Sequence, residues 1–223
     1  MCRVGTDVKG RAVGRPSRAL LSREIIARSA LQVVDEHGPD GLTMRALAER
    51  LGVKAASLYN HMAGKDELLD ALADLVNAEI DLTPLAGLTA ADWRPGLAAY
   101  VRGYRAVFLR HPHTIALLAR RRVEAERQLL GYDTLLAGLG RIGLAPADAA
   151  EAAAAIDYLV LGSALETFTA GFTRDPAEYR PRHPALAEAL EASALRGGGP
   201  GGLDDRGFEL ALRLLLDGLA ARG

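Results

Sequence analysis

The 223-residue chain has one cysteine, Cys2, so no disulfide can staple it internally. It has few β-branched residues: Val, Ile and Thr total 26, thin for a protein built on sheets. It has only three lysines among its 27 basic residues, a bias that carries no functional reading. It lacks long apolar runs. The longest uncharged stretch, Leu82–Ala91, contains Thr, Pro and Gly, while a membrane span needs about 20 apolar residues. No apolar run follows the basic N-terminus, so no secretory leader is expected, and the expected location is the cytoplasm. What is present is ordinary for a globular protein: 49% hydrophobic and 25% charged residues, which excludes wholesale disorder. Alanine, leucine and arginine dominate, and all three favour helix.

The net charge of -1 hides an asymmetry. Residues 1–65 hold eleven Lys/Arg and six Asp/Glu, a balance of +5, so the remainder carries -6. A basic first third suggests a polyanionic partner, although a solvated basic tail has the same composition. Residues 1–18, with Gly5, Gly10, Gly14 and Pro16, read as a flexible basic arm. Its Lys9, Arg11, Arg15 and Arg18 could reach a minor groove or simply face solvent.

Periodicity predicts an all-α chain of about ten helices. Ser22 is the expected N-cap of the first, whose apolar face is Ile26, Ala30, Val33, Val34 and His37, and Gly38-Pro39 stops it. Thr43 is the expected cap of a second short helix, Gly52 breaks it, and a third covers about 55–62. A longer helix from Lys65 stripes Leu68, Leu69, Leu72, Leu75, Val76 and Ile80. Residues 83–89 read as a linker, and Thr89–Asp92 as a capping box. The helix behind it carries Trp93, Leu97, Tyr100, Val101, Tyr104, Val107 and Phe108 on one side, and His111-Pro112-His113 marks a bend. Further helices are expected over about 112–120, 124–142, 146–171, 185–195 and 205–221, with an irregular loop at 175–184 and a flexible glycine-rich break at 197–202.

The segment Thr43–Lys65, TMRALAERLGVKAASLYNHMAGK, has the pattern of a helix-turn-helix. Leu47, Leu51, Val53 and Leu58 face inward. Lys54 can meet a phosphate, and Ser57, Tyr59, Asn60 and His61 have the reach and hydrogen-bonding groups for base edges or phosphate oxygens. Ala55 and Ala56 let the helix approach closely, and Lys65 can clamp the backbone. An αα-corner in a bundle would show the same spacing.

In combination, ALAERLGVKAASLYNHMAGKDELLDAL and the preceding EHGPDGLTM resemble the DNA-binding domain of the TetR family of bacterial transcriptional repressors. Asp92-Trp93-Arg94, Arg110-His111-Pro112, the stretch Leu161–Glu166 and the closing stretch from Phe208 are similar to the tetracycline-repressor type of regulatory domain. The resemblance implies an all-α homodimer divided into the basic arm 1–18, a DNA-binding domain 19–64, a connecting helix 65–81 and a ligand-binding and dimerisation domain 82–223. It implies that Thr43 and Arg45 touch DNA, that Lys54, Ala55, Ala56, Ser57, Tyr59, Asn60 and His61 line the groove, and that Lys65 holds phosphate. Ala55 and Ala56 are small and apolar where relatives often carry polar residues or proline, which argues against direct readout there. The expected operator is a palindrome with half-sites about 34 Å apart or more. The expected mechanism is release of that operator when a small apolar inducer moves the connecting helix.

Candidate pocket residues are Tyr100, Tyr104, Phe108, His111, His113, Leu117, Leu136, Phe168 and Phe172, though for the aromatics a plain core is the favoured reading. Tetracycline repressors hold a drug–magnesium complex with histidine in this vicinity, but the local sequence differs, and two histidines are a weak metal signal. No metal or cofactor is expected. The helices over 146–171 and 205–221 are the expected dimer interface, with Ala155, Gly162 and Ala164 allowing close packing. An enzyme is disfavoured. Gly138-Leu-Gly-Arg-Ile-Gly143 matches G-x-G-x-x-G without a preceding strand, and no G-x-S-x-G, Walker A or H-E-x-x-H occurs. A structural helical protein without a DNA role is the other rival.

Overall fold

The computed structural model describes residues 21–118, 121–165, 168–197 and 199–222, so the basic arm 1–18 lies outside the described residues. Among these residues twelve α-helices form and no strand does.

Local chemistry sets the first elements. In α1 (Arg23–His37) the Ser22 hydroxyl accepts from Ile25 N at 3.2 Å, which satisfies an orphan N–H of the first turn. Gly38 ends the helix at φ +72 and donates its N–H to the Val34 carbonyl at 2.8 Å. Ile26, Ala30, Val33 and Val34 are buried as expected. His37 is exposed instead, because it is the last helical residue and its ring lies in solvent near Glu36.

Thr43 caps α2 (Met44–Leu51) by accepting from Ala46 N at 3.1 Å. Gly52 then turns the chain in the left-handed region at φ 64, a conformation glycine adopts without steric cost. The next helix, α3, is shorter than expected, Ala55–Tyr59. The Leu58 carbonyl accepts from both His61 N and Met62 N, and this turn brings Met62 back into the core. Helix α4 (Lys65–Ala78) buries Leu68, Leu69, Leu72 and Val76.

The expected linker at 83–89 contains a short helix, α5 (Thr83–Ala86). Asp81 accepts from Thr83 N at 2.9 Å, Pro84 sits in the first turn, and Leu85 and Leu88 are wholly buried. Burial overrides the weak local signal. The crossing onto the next helix is close, since a Cβ on Gly96 would lie 2.8 Å from the Pro84 carbonyl oxygen. Thr89 does accept from Asp92 N at 3.2 Å, but this forms a turn rather than a helix start. The helix, α6 (Arg94–Arg110), begins two residues later, with Pro95 in its first turn.

Helices α7 (Pro112–Leu118), α8 (Glu126–Arg141) and α9 (Pro146–Leu165) follow. The α9 helix stops short of the expected Gly171. Thr169–Gly171 is a separate 3-10 turn, held toward the last helix where Thr169 N donates to Asp204 at 3.2 Å. The expected irregular loop at 175–184 contains α10 (Pro176–Tyr179), opened by a complete capping box between Asp175 and Glu178. After α11 (Pro184–Leu195), the final helix α12 (Gly199–Ala220) starts inside the glycine-rich segment rather than at Asp205. Arg206 reaches back across that segment, donating to the Gly197 carbonyl at 2.5 Å and to the Ser193 carbonyl at 3.1 Å. These bonds offset the glycine entropy that predicts a break.

The α1 helix packs on α2, α4 and α7, while α4 also packs on α8. The α9 helix lies among α6, α7, α8 and α12. The buried Arg105 joins three of these. Its guanidinium meets Asp205 at 2.8 Å and the Ser163 hydroxyl at 3.2 Å, and it lies 4.4 Å from the centre of the Phe208 ring. A buried cation persists only where it is paired in this way.

Candidate functional site

Helices α2 and α3 present one polar surface. Leu47, Ala48, Leu58 and Met62 are buried beneath it in the common core, and α2 packs on both α1 and α3. Thr43, Arg45, Lys54, Ala55, Ala56, Asn60, His61 and Lys65 are exposed, Ser57 is half-buried, and Tyr59 is 53% exposed although it adjoins the fully buried Leu58. The ten residues selected from the sequence for DNA contact thus all reach the surface. Arg45 pairs with Glu49 at 3.0 Å, one turn on, and such exposed pairs cost little to break. Lys54 and Lys65 form no ion pair among the described residues.

Charged contacts hold α4 along its length. At its start Glu67 accepts from Arg23 of α1 at 2.7 Å and from Ala63 N at 2.6 Å. Arg121, between α7 and α8, reaches Asp66 and Asp70 at 3.1 and 2.6 Å. Asp74 accepts from Arg127 N at 3.1 Å. At the far end Glu79 meets Arg110 at 2.7 Å and His111 at 3.3 Å. His111 also meets Asp35 of α1 at 2.9 Å, and His113 lies 3.0 Å from the Val34 carbonyl. The two histidines therefore fasten the α6–α7 bend to α1 and α4, and neither lines the cavity described next.

That cavity lies among α4, α6, α7, α8 and α9, with a volume of about 40 Å³ and a mouth open to solvent at one side. Tyr104, Phe108, Tyr132, Ile115, Leu118 and Leu161 form its apolar walls, and Asp70, Asn77, Arg121 and Gln128 bring polar groups. A smaller lobe adjoins it and shares Asn77, Tyr104, Gln128 and Tyr132. It adds Tyr100 and Asp157. Of the nine pocket residues selected from the sequence, Tyr100, Tyr104 and Phe108 line these lobes. Leu117 packs on the core, Leu136 is exposed on α8, and the tilted rings of Phe168 and Phe172 meet with centroids 4.9 Å apart beside α12, away from the cavity. Asn77, Arg121, Gln128, Tyr132 and Asp157 were not foreseen. Asp157 is the one acid among residues 152–165 of α9, and that isolation was the available signal.

Asp157 accepts hydrogen bonds from the hydroxyls of Tyr104, at 3.2 Å, and Tyr132. Burial pushes its carboxyl above the ordinary aspartate range, and the two hydroxyl donors pull it back only in part. Burial, with the nearby carboxylate, also drives Tyr100, Tyr104 and Tyr132 upward, so all three stay protonated well past neutrality. A raised acid favours the fold in its protonated form. Its contribution is present in full below the unfolded pKa and is lost as pH rises through the folded value. Asp157→Asn is therefore expected to melt above the parent at pH 8, with the gap closing toward pH 3. Thermal unfolding across that range checks it. A gap that widens as pH falls would contradict the assignment.

Each of the packed helices α9 and α12 carries an exposed stripe. On α9, Tyr158 is 78% exposed and is followed at helical spacing by Gly162 and Leu165. On α12 the stripe is Gly207, Leu210, Leu214 and Gly218, with Leu214 63% exposed. A Cβ added at Gly162, Gly207 or Gly218 would touch nothing in this chain. Ala164, expected to face a partner, is buried against its own core, and Ala155 is half-buried. Among the described residues no group of three His, Cys, Asp or Glu is placed to hold a metal ion, and no helix is long and apolar enough to cross a membrane.

Comparison with known proteins adds the following. The profile described as "Bacterial regulatory proteins, tetR family" matches residues 26–72, and that described as "Tetracyclin repressor-like, C-terminal domain" matches residues 86–222. The chain is 35% identical over 206 residues to the tetracycline repressor protein class A from transposon 1721 of Escherichia coli, covering 91% of this chain and 92% of that one. It is 33% identical over 212 residues to an HTH-type transcriptional regulator of Saccharopolyspora erythraea, covering 92% and 87%. The crystal structure of the Streptomyces coelicolor TetR family protein ActR in complex with actinorhodin superposes with a TM-score of 0.75 at 27% identity, covering 92% of this chain and 98% of that one.

Proposed function

The chain belongs to the TetR family of bacterial regulatory proteins, ligand-responsive DNA-binding transcriptional regulators, and we propose that it is a homodimeric repressor acting in the cytoplasm on a palindromic operator. Residues 19–64 form the DNA-binding domain, 65–81 the connecting helix, and 82–223 the ligand-binding and dimerisation domain. Lys54 and Lys65 neutralise phosphates. Thr43 and Arg45 contact the backbone at the start of α2. Ser57, Tyr59, Asn60 and His61 approach base edges, while Ala55 and Ala56 allow α3 to lie close. It binds and releases DNA and is not an enzyme.

The observation that carries this reading is the exposed polar surface of α2 and α3 above a fully buried Leu58. The stripes on α9 and α12 support a second copy as the partner. They pair large apolar side chains with glycines that leave room for close approach, the composition of an apolar interface core. Two recognition helices then meet the duplex at fixed separation.

The cavity beside α4 is the inducer site, and the relative that holds actinorhodin supports a small organic ligand. A ligand there bears on α4, and α4 is bonded to α1 at one end and to the α6–α7 bend at the other. Release follows when the ligand-bound form disfavours the spacing that fits the operator. Footprinting on the chain's own upstream DNA tests the reading. A protected palindrome that is lost on adding an inducer supports it, and absence of sequence-specific protection refutes it.

A further inference from the structure

We propose that Arg121 is the residue through which this chain senses its inducer, and that the inducer is a flat aromatic molecule carrying an anionic oxygen group. This deepens the reading of the cavity as the inducer site and rests on it.

Arg121 belongs to two places at once. It lines the cavity beside the aromatic walls of Tyr104, Phe108 and Tyr132. Its two terminal nitrogens are held by α4: Nη1 meets Asp66 Oδ1 at 3.1 Å, and Nη2 meets Asp70 Oδ1 at 2.6 Å and the Asp66 carbonyl at 3.1 Å. The third nitrogen, Nε, is buried and has no hydrogen-bond partner among the described residues. A buried N–H without an acceptor is costly, more so on a charged group. Once Arg121 shifts toward a ligand, an oxygen that reaches this nitrogen removes that cost, and a wholly apolar ligand does not. An anionic oxygen gains most, since charge-assisted hydrogen bonds to guanidinium are the strong ones. Arg122 also borders the cavity and adds a second positive charge. The aromatic walls suit a planar body.

Asp70 borders the same cavity. An anion in the cavity is therefore repelled by Asp70 and drawn to Arg121, so it competes with α4 for one guanidinium. Asp66 directly follows Lys65, at the end of α4 nearest the DNA-contacting surface. Drawing Arg121 away loosens α4 there. The coupling is reciprocal, because whatever weakens the hold of α4 on Arg121 must strengthen the anion's.

The test uses the full chain and two fluorescent probes that differ only in a sulfonate: 8-anilinonaphthalene-1-sulfonate and its neutral parent N-phenyl-1-naphthylamine. The unmodified protein is expected to bind the sulfonate at least tenfold more tightly, and Arg121→Gln to bring the ratio close to one. Asp70→Asn frees Arg121 from its competitor and is expected to tighten sulfonate binding at least threefold, an effect that a merely structural role for Arg121 would not produce. A ratio near one in the unmodified protein, a preference that survives Arg121→Gln, or sulfonate binding that is unchanged or weaker in Asp70→Asn overturns the proposal. Leu161→Trp, which fills the cavity, separates this failure from that of the underlying reading. If the titrations ignore it, the cavity is not the binding site and both readings fall. If it blocks both probes while the sulfonate earns no preference, only the proposal falls.

Discussion

Leu214→Arg is expected to convert the protein to monomers and to weaken operator binding at least a hundredfold. Leu214 is largely exposed in the single chain, so the substitution costs the subunit fold little. Against a second copy the same position would bury a guanidinium with no acceptor opposite, and burying an unpaired charge is among the most costly changes an interface can suffer. The loss on DNA follows from linkage. In a dimer the second half-site is engaged from a high effective concentration, and a monomer forfeits that gain without losing any direct contact. Sedimentation velocity gives the assembly state, and a gel shift on the full palindrome gives the affinity. A Leu214→Arg protein that still sediments as a dimer would place the interface elsewhere.

Lys54→Ala and Tyr59→Ala are expected to reduce operator affinity by about ten- to a hundredfold each, for different reasons that salt separates. Lys54 is exposed and without an ion pair among the described residues, so its charge is available to a phosphate. Each dimer carries two copies. Removing both should lower the slope of log affinity against log salt by about 1.8, at about 0.9 per phosphate contact, and should weaken specific and non-specific DNA alike. Tyr59 carries no charge, so its loss should leave the salt slope in place and fall mainly on specific sequence. A Lys54→Ala protein with an unchanged slope would show that this lysine does not touch DNA. Leu58 is a poor control, since it is wholly buried and its truncation would cost about 2–5 kcal/mol of stability.

The legible parts of the fold are those whose cause is local. The caps at Ser22 and Thr43 and the turn at Gly52 rest on contacts within four residues. The exposed polar face of α2 and α3 was legible for the same reason, because a five-residue helix with one buried leucine leaves few choices about which side faces out. Helix α10 was missed despite a local cause, the capping box from Asp175 to Glu178, but the start of α12 and the helix α5 were not legible. Proline and glycine there announce a break, while the deciding terms come from elsewhere: Leu85 and Leu88 sealed in the core, and Arg206 bonded back to Gly197. The cavity was half legible. Tyr104 and Phe108 recur on a helical stripe, but Asn77, Arg121, Gln128 and Asp157 come from α4, from the segment after α7, from α8 and from α9. No spacing along the chain can show that such residues converge. His111 and His113 mark a bend, which the neighbouring proline announced. Their partners Asp35, Glu79 and Val34 are 32 to 79 positions away, which is why a histidine pair could be mistaken for a ligand site.

The clasp that Arg206 makes on Gly197 and Ser193 reaches beyond its own neighbourhood. Six glycines and prolines in a row would otherwise act as a swivel, leaving the last helix free to rotate about its axis and slide along it. One side chain bolts that swivel shut, so the ridge of leucines on α12 keeps a constant bearing. In the dimer proposed above, the angle at which two subunits would grip a duplex is governed in part by an arginine outside the proposed DNA and inducer contacts, and loosening it is expected to blur operator geometry while leaving the exposed surface of α2 and α3 intact.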